Sequence, residues 1–154
     1  MNTIVTLIDF SGLTPKLIEV SQRYAEFLKA RVILLNILAQ EKSGVATERG
    51  STNIAEHSNQ EWKAEDQKSL AELGNILSAT GVDVLVEQLE DADIRKALEE
   101  CERWKADLII VGAHHHSAIY NWFVGSFTCE VLQGAHCPVL VVPPIPVQGM
   151  GQMS

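Results

Sequence analysis

The sequence predicts an α/β protein whose parallel sheet carries helices on both faces. Five short segments are rich in Val, Ile and Leu, and several are apolar at nearly every position. Such runs are typical of strands that are buried on both sides in a parallel sheet. Segments with helical spacing of apolar residues lie between the five runs, and this alternation implies parallel strands joined by right-handed crossovers.

The predicted strands follow from the apolar runs, which are bounded by turn residues. They are 3–10, 31–38, 82–89, 107–113 and 138–143.

Each predicted helix presents one apolar stripe. A helix over 15–30 takes Thr14 as its N-cap and Pro15 as its first residue, and Gly81 closes a helix over 60–80. Two further helices are predicted over 93–105 and 126–134. The stripes of the first three are Leu17, Ser21, Tyr24 and Leu28; Trp62, Leu70, Leu73, Ile76 and Leu77; and Ile94, Ala97, Leu98, Cys101 and Trp104.

The 154 residues fit one α/β domain, which we expect over 1–145. The polar stretch 40–58 has few large apolar residues and is predicted to be a mobile insertion. The end of the chain, 146–154, is predicted to be a flexible C-terminal tail.

Charge and hydropathy exclude several classes of partner. Twelve Lys and Arg against 20 Asp and Glu leave a net charge of -8. This balance argues against a general nucleic-acid binder and against docking on an anionic membrane. No basic leader opens the chain and no apolar run approaches the ~20 residues that span a bilayer, so no membrane insertion is expected. Three cysteines without CxxC spacing predict reduced, mostly buried thiols and a cytoplasmic location.

The expected ligand site lies where polar residues follow the strands. In such sheets, ligands bind outside the carboxyl ends of the strands, where the strand order reverses. That rule selects Asp9 and Ser11 after the first strand, Ile37 at the end of the second, and 112–128 after the fourth.

The segment "VGAHHHSAIYNWFVGSFTCEV", 111–131, has the composition of a phosphate loop. Gly112 ends a strand, and Gly125 and Ser126 open a helix that contains Thr128. Glycines let the backbone approach phosphate oxygens, and free N–H groups at a helix start bind anions. In the alternative interpretation, Gly112 is only a turn residue and Ser126 only an N-cap. Neither GxGxxG after the first strand nor GxxxxGK[ST] is present.

These residues resemble the universal stress protein family over essentially the whole chain. The resemblance is carried by "LIDFS" at the end of the first strand, by "GAHHHSAIYNWFVGSFT" after the fourth and by "HCPVLVVP" as the last strand. The nucleotide-binding branch of the family carries G-2x-G-9x-G-[S/T]. Gly112, position 115 and Gly125-Ser126 reproduce that spacing, with His115 in place of the middle glycine. Gln88 and Glu90 likewise stand where the family often has Gly-x-Pro.

The resemblance implies a flavodoxin-like sheet of five strands in the order 3-2-1-4-5, as in the adenine nucleotide alpha hydrolase-like folds. It implies a homodimer paired through the last strand, Pro138 to Pro143, and ATP as the ligand, with or without Mg²⁺. The implied roles by position are Asp9 at the adenine or ribose, the backbone of Ile37 at the adenine, Gly112 and His115 along the first part of the loop, and Gly125, Ser126, Phe127 and Thr128 at the phosphates. Apart from the resemblance, a protonated imidazole at His114 would contact phosphate oxygens.

The resulting hypothesis is an adenine-nucleotide (ATP or AMP) binding stress-response or regulatory protein with an unidentified protein partner. One alternative is a nucleotide-free dimeric scaffold, with His115 marking a lost site. Another is a slow ATP hydrolase, since no Lys or Arg lies in 111–131 to stabilise transition-state charge. A metal site at His114 and the other loop histidines is disfavoured, because zinc ligands usually recur at HxxxH or CxxC spacing.

Overall fold

The computed structural model describes residues 1–38, 52–113 and 126–144. Strands and helices alternate along these residues. They are β1 (Asn2–Leu7), α1 (Thr14–Leu28), β2 (Ala30–Ile37), α2 (Thr52–Ser78), β3 (Val84–Leu89), α3 (Ile94–Arg103), β4 (Leu108–Gly112), α4 (Ser126–Gly134) and β5 (Val139–Val142).

All five strands form one parallel sheet in the order β3-β2-β1-β4-β5. The predicted α/β fold and its strand order are therefore confirmed. β1 lies at the centre, where Val5 is opposite Ile33 of β2 on one side and Ile109 of β4 on the other. These three side chains are almost fully buried, so the central strands have the covered character that their apolar runs predict.

The core is divided by the sheet into two apolar clusters. On one face, Ile4 and Leu34 pack with Leu17 of α1 and Leu77 of α2. On the other face, neighbouring strand residues such as Val5 pack with residues of α3 and α4. Because successive strand side chains point to opposite faces, each central strand supplies both clusters.

The start of α1 differs from the prediction. Leu13 occupies the N-cap position and makes no side-chain capping bond, while Thr14 is the first helical residue. The Thr14 N–H donates instead to the Ser11 carbonyl at 3.0 Å. The turn before the helix thus supplies the acceptor for this N–H group at the start of α1. The prediction that Thr14 is the N-cap, which was based on residue type alone, was wrong.

α2 is longer at its N-terminal end than the predicted 60–80, and it takes in the last part of the predicted insertion, 52–58. Helical hydrogen bonds do not require an apolar stripe, so periodicity missed this extension. Ile76 was assigned to the buried stripe but is 59% exposed. The rest of the insertion, 40–51, and the predicted tail, 146–154, lie outside the described residues. In the part of the chain that the structure describes, no helix combines the length and apolarity needed to cross a membrane.

The three cysteines differ in burial. Cys101 is buried, Cys137 is half-buried and Cys129 is exposed, so the expectation of mostly buried thiols was wrong at Cys129. Burial, with a smaller contribution from Cys137, raises the pKa of the Cys101 thiol to about 12. Cys101 is therefore protonated at neutral pH and acts as an apolar core residue.

A buried hydroxyl pair joins α1 to β1. Thr6 Oγ1 and Ser21 Oγ lie 2.7 Å apart, and both residues are fully buried. Ser21 Oγ donates its proton to the Leu17 carbonyl at 2.7 Å. Thr6 must therefore be the donor in the pair, with Ser21 as its acceptor.

We expect Ser21→Ala to lower the free energy of unfolding by about 1–3 kcal/mol, because it leaves the Thr6 hydroxyl buried without an acceptor. Adding Thr6→Val removes that orphaned donor and should recover part of the loss. Chemical denaturation of the single and double variants measures both effects. A double variant no more stable than Ser21→Ala would contradict the assignment of Thr6 as donor.

Candidate functional site

A cleft of about 200 Å³ lies at the carboxyl edge of the sheet. Residues after β1, at the end of β2 and at the end of β4 line it, together with one residue each from α2 and α4. β1 is flanked by β2 and β4; the connection after β1 runs to β2 on one side, whereas the connection after β4 runs to β5 on the other. The cleft is therefore located at the reversal of strand order, where ligands bind in such sheets.

Asp9 and Ser11 build the turn between β1 and α1. Asp9 Oδ1 accepts a hydrogen bond from the Ser11 N–H at 3.0 Å, and Ser11 Oγ accepts one from the Leu13 N–H at 3.3 Å. Both residues were predicted as site residues, and the structure brings Asp9 to the cleft wall. The side chain of Ser11 bonds within the turn rather than lining the cleft, whereas its backbone N–H holds the Asp9 carboxylate in place.

Phe10 lines the same wall in a conformation that favours glycine. Its φ is 58°, in the left-handed region where a side chain costs energy. Strained residues of this kind concentrate at functional sites, because the surrounding structure must hold them. The sequence did not indicate Phe10 as a site residue.

At the end of β2, a chain of amide groups links three neighbouring strands. Asn36 Nδ2 donates to the carbonyl of Ile8 at 2.8 Å, and Asn36 Oδ1 accepts from Gln88 Nε2 at 3.1 Å. Gln88 Oε1 is buried and has no hydrogen-bond partner among the described residues. Ile37, predicted for its backbone, is half-buried beside Asn36 in the cleft lining. These bonds hold the β2 end of the cleft in one arrangement.

At the opposite end, Gly112 and Thr128 join β4 to α4. Thr128 is fully buried and its hydroxyl donates to the Gly112 carbonyl at 3.2 Å. A Cβ at Gly112 would lie 2.7 Å from Leu13 Cδ2, so the glycine also admits close packing of α1. The Thr128 hydroxyl thus anchors α4 under the cleft, while Phe127 of the same first helical turn lines the cleft.

Asp66 of α2 completes the lining and was missed by sequence reasoning. Desolvation by burial raises the pKa of its carboxyl above the usual 3.8, and the negative charge of Glu65 raises it further. The pattern contains a signal that could have found it. Asp66 precedes Leu70 by four residues and so continues the buried stripe, where an apolar side chain is expected.

Glu90, which stands in the Gly-x-Pro region, is paired in this structure. Its carboxylate forms an ion pair with Lys63 Nζ of α2. The pair lies beside Asp66 along the helix and offsets one negative charge near the cleft.

Three predicted loop residues, His114, His115 and Gly125, lie outside the described residues. Ser126 begins α4, as predicted. Among residues 1–38, 52–113 and 126–144, no cluster of three or more His, Cys, Asp or Glu side chains could hold a metal ion.

Comparison with known proteins decides the family. The model of the universal stress protein family matches residues 1–143. The chain belongs to the universal stress protein family. The resemblance seen in the sequence is thereby confirmed over nearly the full length.

Individual relatives agree with this assignment. Universal stress protein MJ0531 of Methanocaldococcus jannaschii is 35% identical over 80 residues, which are 52% of this chain and 47% of that protein. The match therefore spans about half the length of that curated relative.

Two solved structures have the same fold. One is the hypothetical protein MJ0577, whose structure was used to assign its biochemical function. It matches with a TM-score of 0.78 and 19% identity, over 95% of this chain and 98% of that chain. The other is a universal stress protein from Archaeoglobus fulgidus in complex with dAMP, with a TM-score of 0.66, 16% identity and coverage of 92% and 97%.

The raised pKa of Asp66 predicts a stability change with a defined pH dependence. The folded state binds this proton more tightly than the unfolded state, so the free energy of unfolding falls as pH rises between 3.8 and the raised pKa. Asp66→Asn removes the penalty of a desolvated charge. We expect it to raise the melting temperature at pH 7 and to have no such effect below about pH 3.8.

Glu72→Gln is the matched control, because Glu72 is exposed on the same helix and has no desolvation to relieve. Thermal unfolding of both variants across this pH range makes the comparison. An equal response from the two would show that burial of Asp66 has no effect on stability.

Proposed function

We propose that this chain binds an adenine nucleotide, ATP, in the cleft at the carboxyl ends of β1, β2 and β4. It does so as a cytoplasmic homodimer with a regulatory role in stress. The observation that carries the proposal is the cleft itself, which lies at the reversal of strand order and has a helix start at one end and polar side chains at the other.

The α4 end of the cleft suits phosphate. The first turn of a helix has N–H groups without helical partners, and the helix dipole adds partial positive charge there. Phe127, in that first turn, lines the cleft, so the N–H groups of α4 adjoin the space where an anion would bind. The spacing of Gly112, position 115 and Gly125-Ser126 supports the same assignment.

The β2 end suits a nucleoside. Ile37 offers backbone groups and an apolar side chain, and Asp9 offers carboxylate oxygens that accept bonds from hydroxyl or amino groups. The relative from Archaeoglobus fulgidus that carries dAMP has the same fold, which supports an adenine nucleotide as the ligand class.

Binding rather than turnover is the proposed activity. Among the described residues that line the cleft, none is Lys or Arg. Fast phosphoryl transfer needs cations to stabilise the charge of its transition state. We therefore propose that occupancy by the nucleotide changes the surface that this protein offers to a protein partner.

The edge position of β5 among the described strands supports dimerisation through the last strand. β5 pairs only with β4 within the described chain. The carbonyls of Pro138 and Val142 accept bonds from Ile109 of β4 and from Ala113 directly after it. By alternation, Val139 and Val141 direct their backbone groups away from β4. An apolar edge strand of this kind recruits a second strand unless it is covered, and a second copy covers it in the proposed dimer.

The proposal predicts that the purified protein binds ATP with micromolar affinity in isothermal titration, with and without Mg²⁺. Asp9→Asn keeps an oxygen for the Ser11 N–H but removes the charge. It should therefore lower the affinity for adenosine about tenfold, which is the effect expected for the loss of one charge-assisted hydrogen bond. Adenosine is titrated as well as ATP because removal of the Asp9 charge would also reduce its repulsion from the phosphates of ATP. Adenosine has no phosphate, so its affinity reports the lost hydrogen bond alone.

Asp83→Asn is the control, since Asp83 is exposed at the other end of the sheet, just before β3. Absence of heat with ATP in the wild type would overturn the proposal. If His115→Gly then restored binding, the chain would instead be a nucleotide-free scaffold.

The dimer is tested by Val141→Pro. This change removes an outward N–H without removing a bond to β4, so we expect the dimer to become a monomer that keeps its circular dichroism spectrum. Val141→Thr keeps the N–H and the strand propensity and should remain a dimer. Sedimentation at micromolar concentration distinguishes the two states, and a monomeric wild type would contradict dimerisation through β5.

A further inference from the structure

Asp66 occupies a helix position that the fold otherwise reserves for apolar residues. Leu70 and Leu77 of α2 are almost fully buried and Leu73 packs against the same cluster. The spacing of four, three and four residues places Asp66 on this face. A carboxylate in such a position weakens packing and costs desolvation, so it needs another reason to be there.

The position of Asp66 along the cleft is set by the sheet. Adjacent strands are about 4.8 Å apart, so β2 and β4 lie about 10 Å apart on either side of β1. α2 packs on β2 and β3, whereas Gly112 and Phe127 belong to the β4 side. Asp66 is thus at the β2 end, away from the helix start proposed for phosphate and next to the strand end proposed for the base.

Asp66 also has carboxylate oxygens that remain available at this end. The other polar side chains in the lining are Asp9, whose Oδ1 accepts from the Ser11 N–H, and Asn36, whose amide nitrogen donates to Ile8 and whose oxygen accepts from Gln88. Among the described residues, no hydrogen bond or ion pair engages the Asp66 carboxylate. The nearby cation of α2, Lys63, is paired with Glu90.

We propose that Asp66 is a specificity-determining residue that accepts a hydrogen bond from the exocyclic amino group at position 6 of the purine. It thereby selects a base that donates at this position. This inference rests on the proposed function and adds to it the group that identifies the base. A carboxylate accepts bonds and donates none when ionised, so it favours an amino group and disfavours a base without one.

The test compares ATP with purine riboside 5′-triphosphate, which lacks the amino group and is otherwise the same. We expect the wild type to bind ATP about tenfold more tightly, the lower range for one hydrogen bond to a charged group. Asp66→Ala should lower the affinity for ATP about tenfold and leave the affinity for the analogue unchanged, so the preference for ATP disappears. Isothermal titration of the four combinations measures this coupling directly.

A structural role alone would weaken both ligands equally, and that result would overturn the inference. Asp66→Asn, which keeps the shape and one neutral acceptor, guards against a folding defect and should show an intermediate preference. Glu72→Ala, on the exposed face of the same helix, should keep the wild-type preference in full. If the wild type binds both ligands equally, the proposed role of Asp66 is refuted but the proposed function is not. If it binds neither ligand, the proposed function is refuted as well.

Discussion

The candidate site depends on the central position of β1, which is paired in parallel with β2 on one side and β4 on the other. Because the connection after β1 runs towards β2 and the connection after β4 runs towards β5, the segments after β1 and β4 separate and a cleft opens between them. Buried strand residues such as Val5 hold the three strands together. The floor of the cleft is therefore part of the packed core, and the residues at the strand ends are held in place by it.

Polar groups around the cleft divide into two kinds by what engages them. Oxygens of Asp9, Ser11, Asn36 and Thr128 take part in hydrogen bonds within the protein that shape the rim and anchor α4. Asp66 has no such bond among the described residues, and burial raises the pKa of its carboxyl. Groups of the first kind fix the shape of the cleft, and a site needs a fixed shape before it can discriminate between ligands. A group of the second kind lowers stability, and that is the usual cost of a functional side chain in a partly buried position.

Sequence patterns predicted the strands well because burial on both faces leaves a simple apolar run, and β2 and β4 are almost continuous runs. Errors arose where a local pattern and the tertiary environment differ. Thr14 has the residue type of an N-cap, but the turn at Ser11 satisfies the helix start. Ile76 lies at the margin of the α2 stripe, and the elements that the structure describes leave it 59% exposed. The N-terminal part of α2 has no stripe, so periodicity could not indicate a helix there.

The sequence by itself determined the fold class, the strand order through its family resemblance, and the strand ends at which Asp9, Ile37 and Gly112 lie, because these follow from short-range patterns and motif spacing. Only the tertiary structure decided which groups meet there. Asp66 reaches the cleft from α2, and Asn36 bonds to Gln88 across two strands, although 52 positions separate them. Such pairings depend on how helices pack on the sheet and on strand register, and neither is encoded in the spacing of residues along one segment.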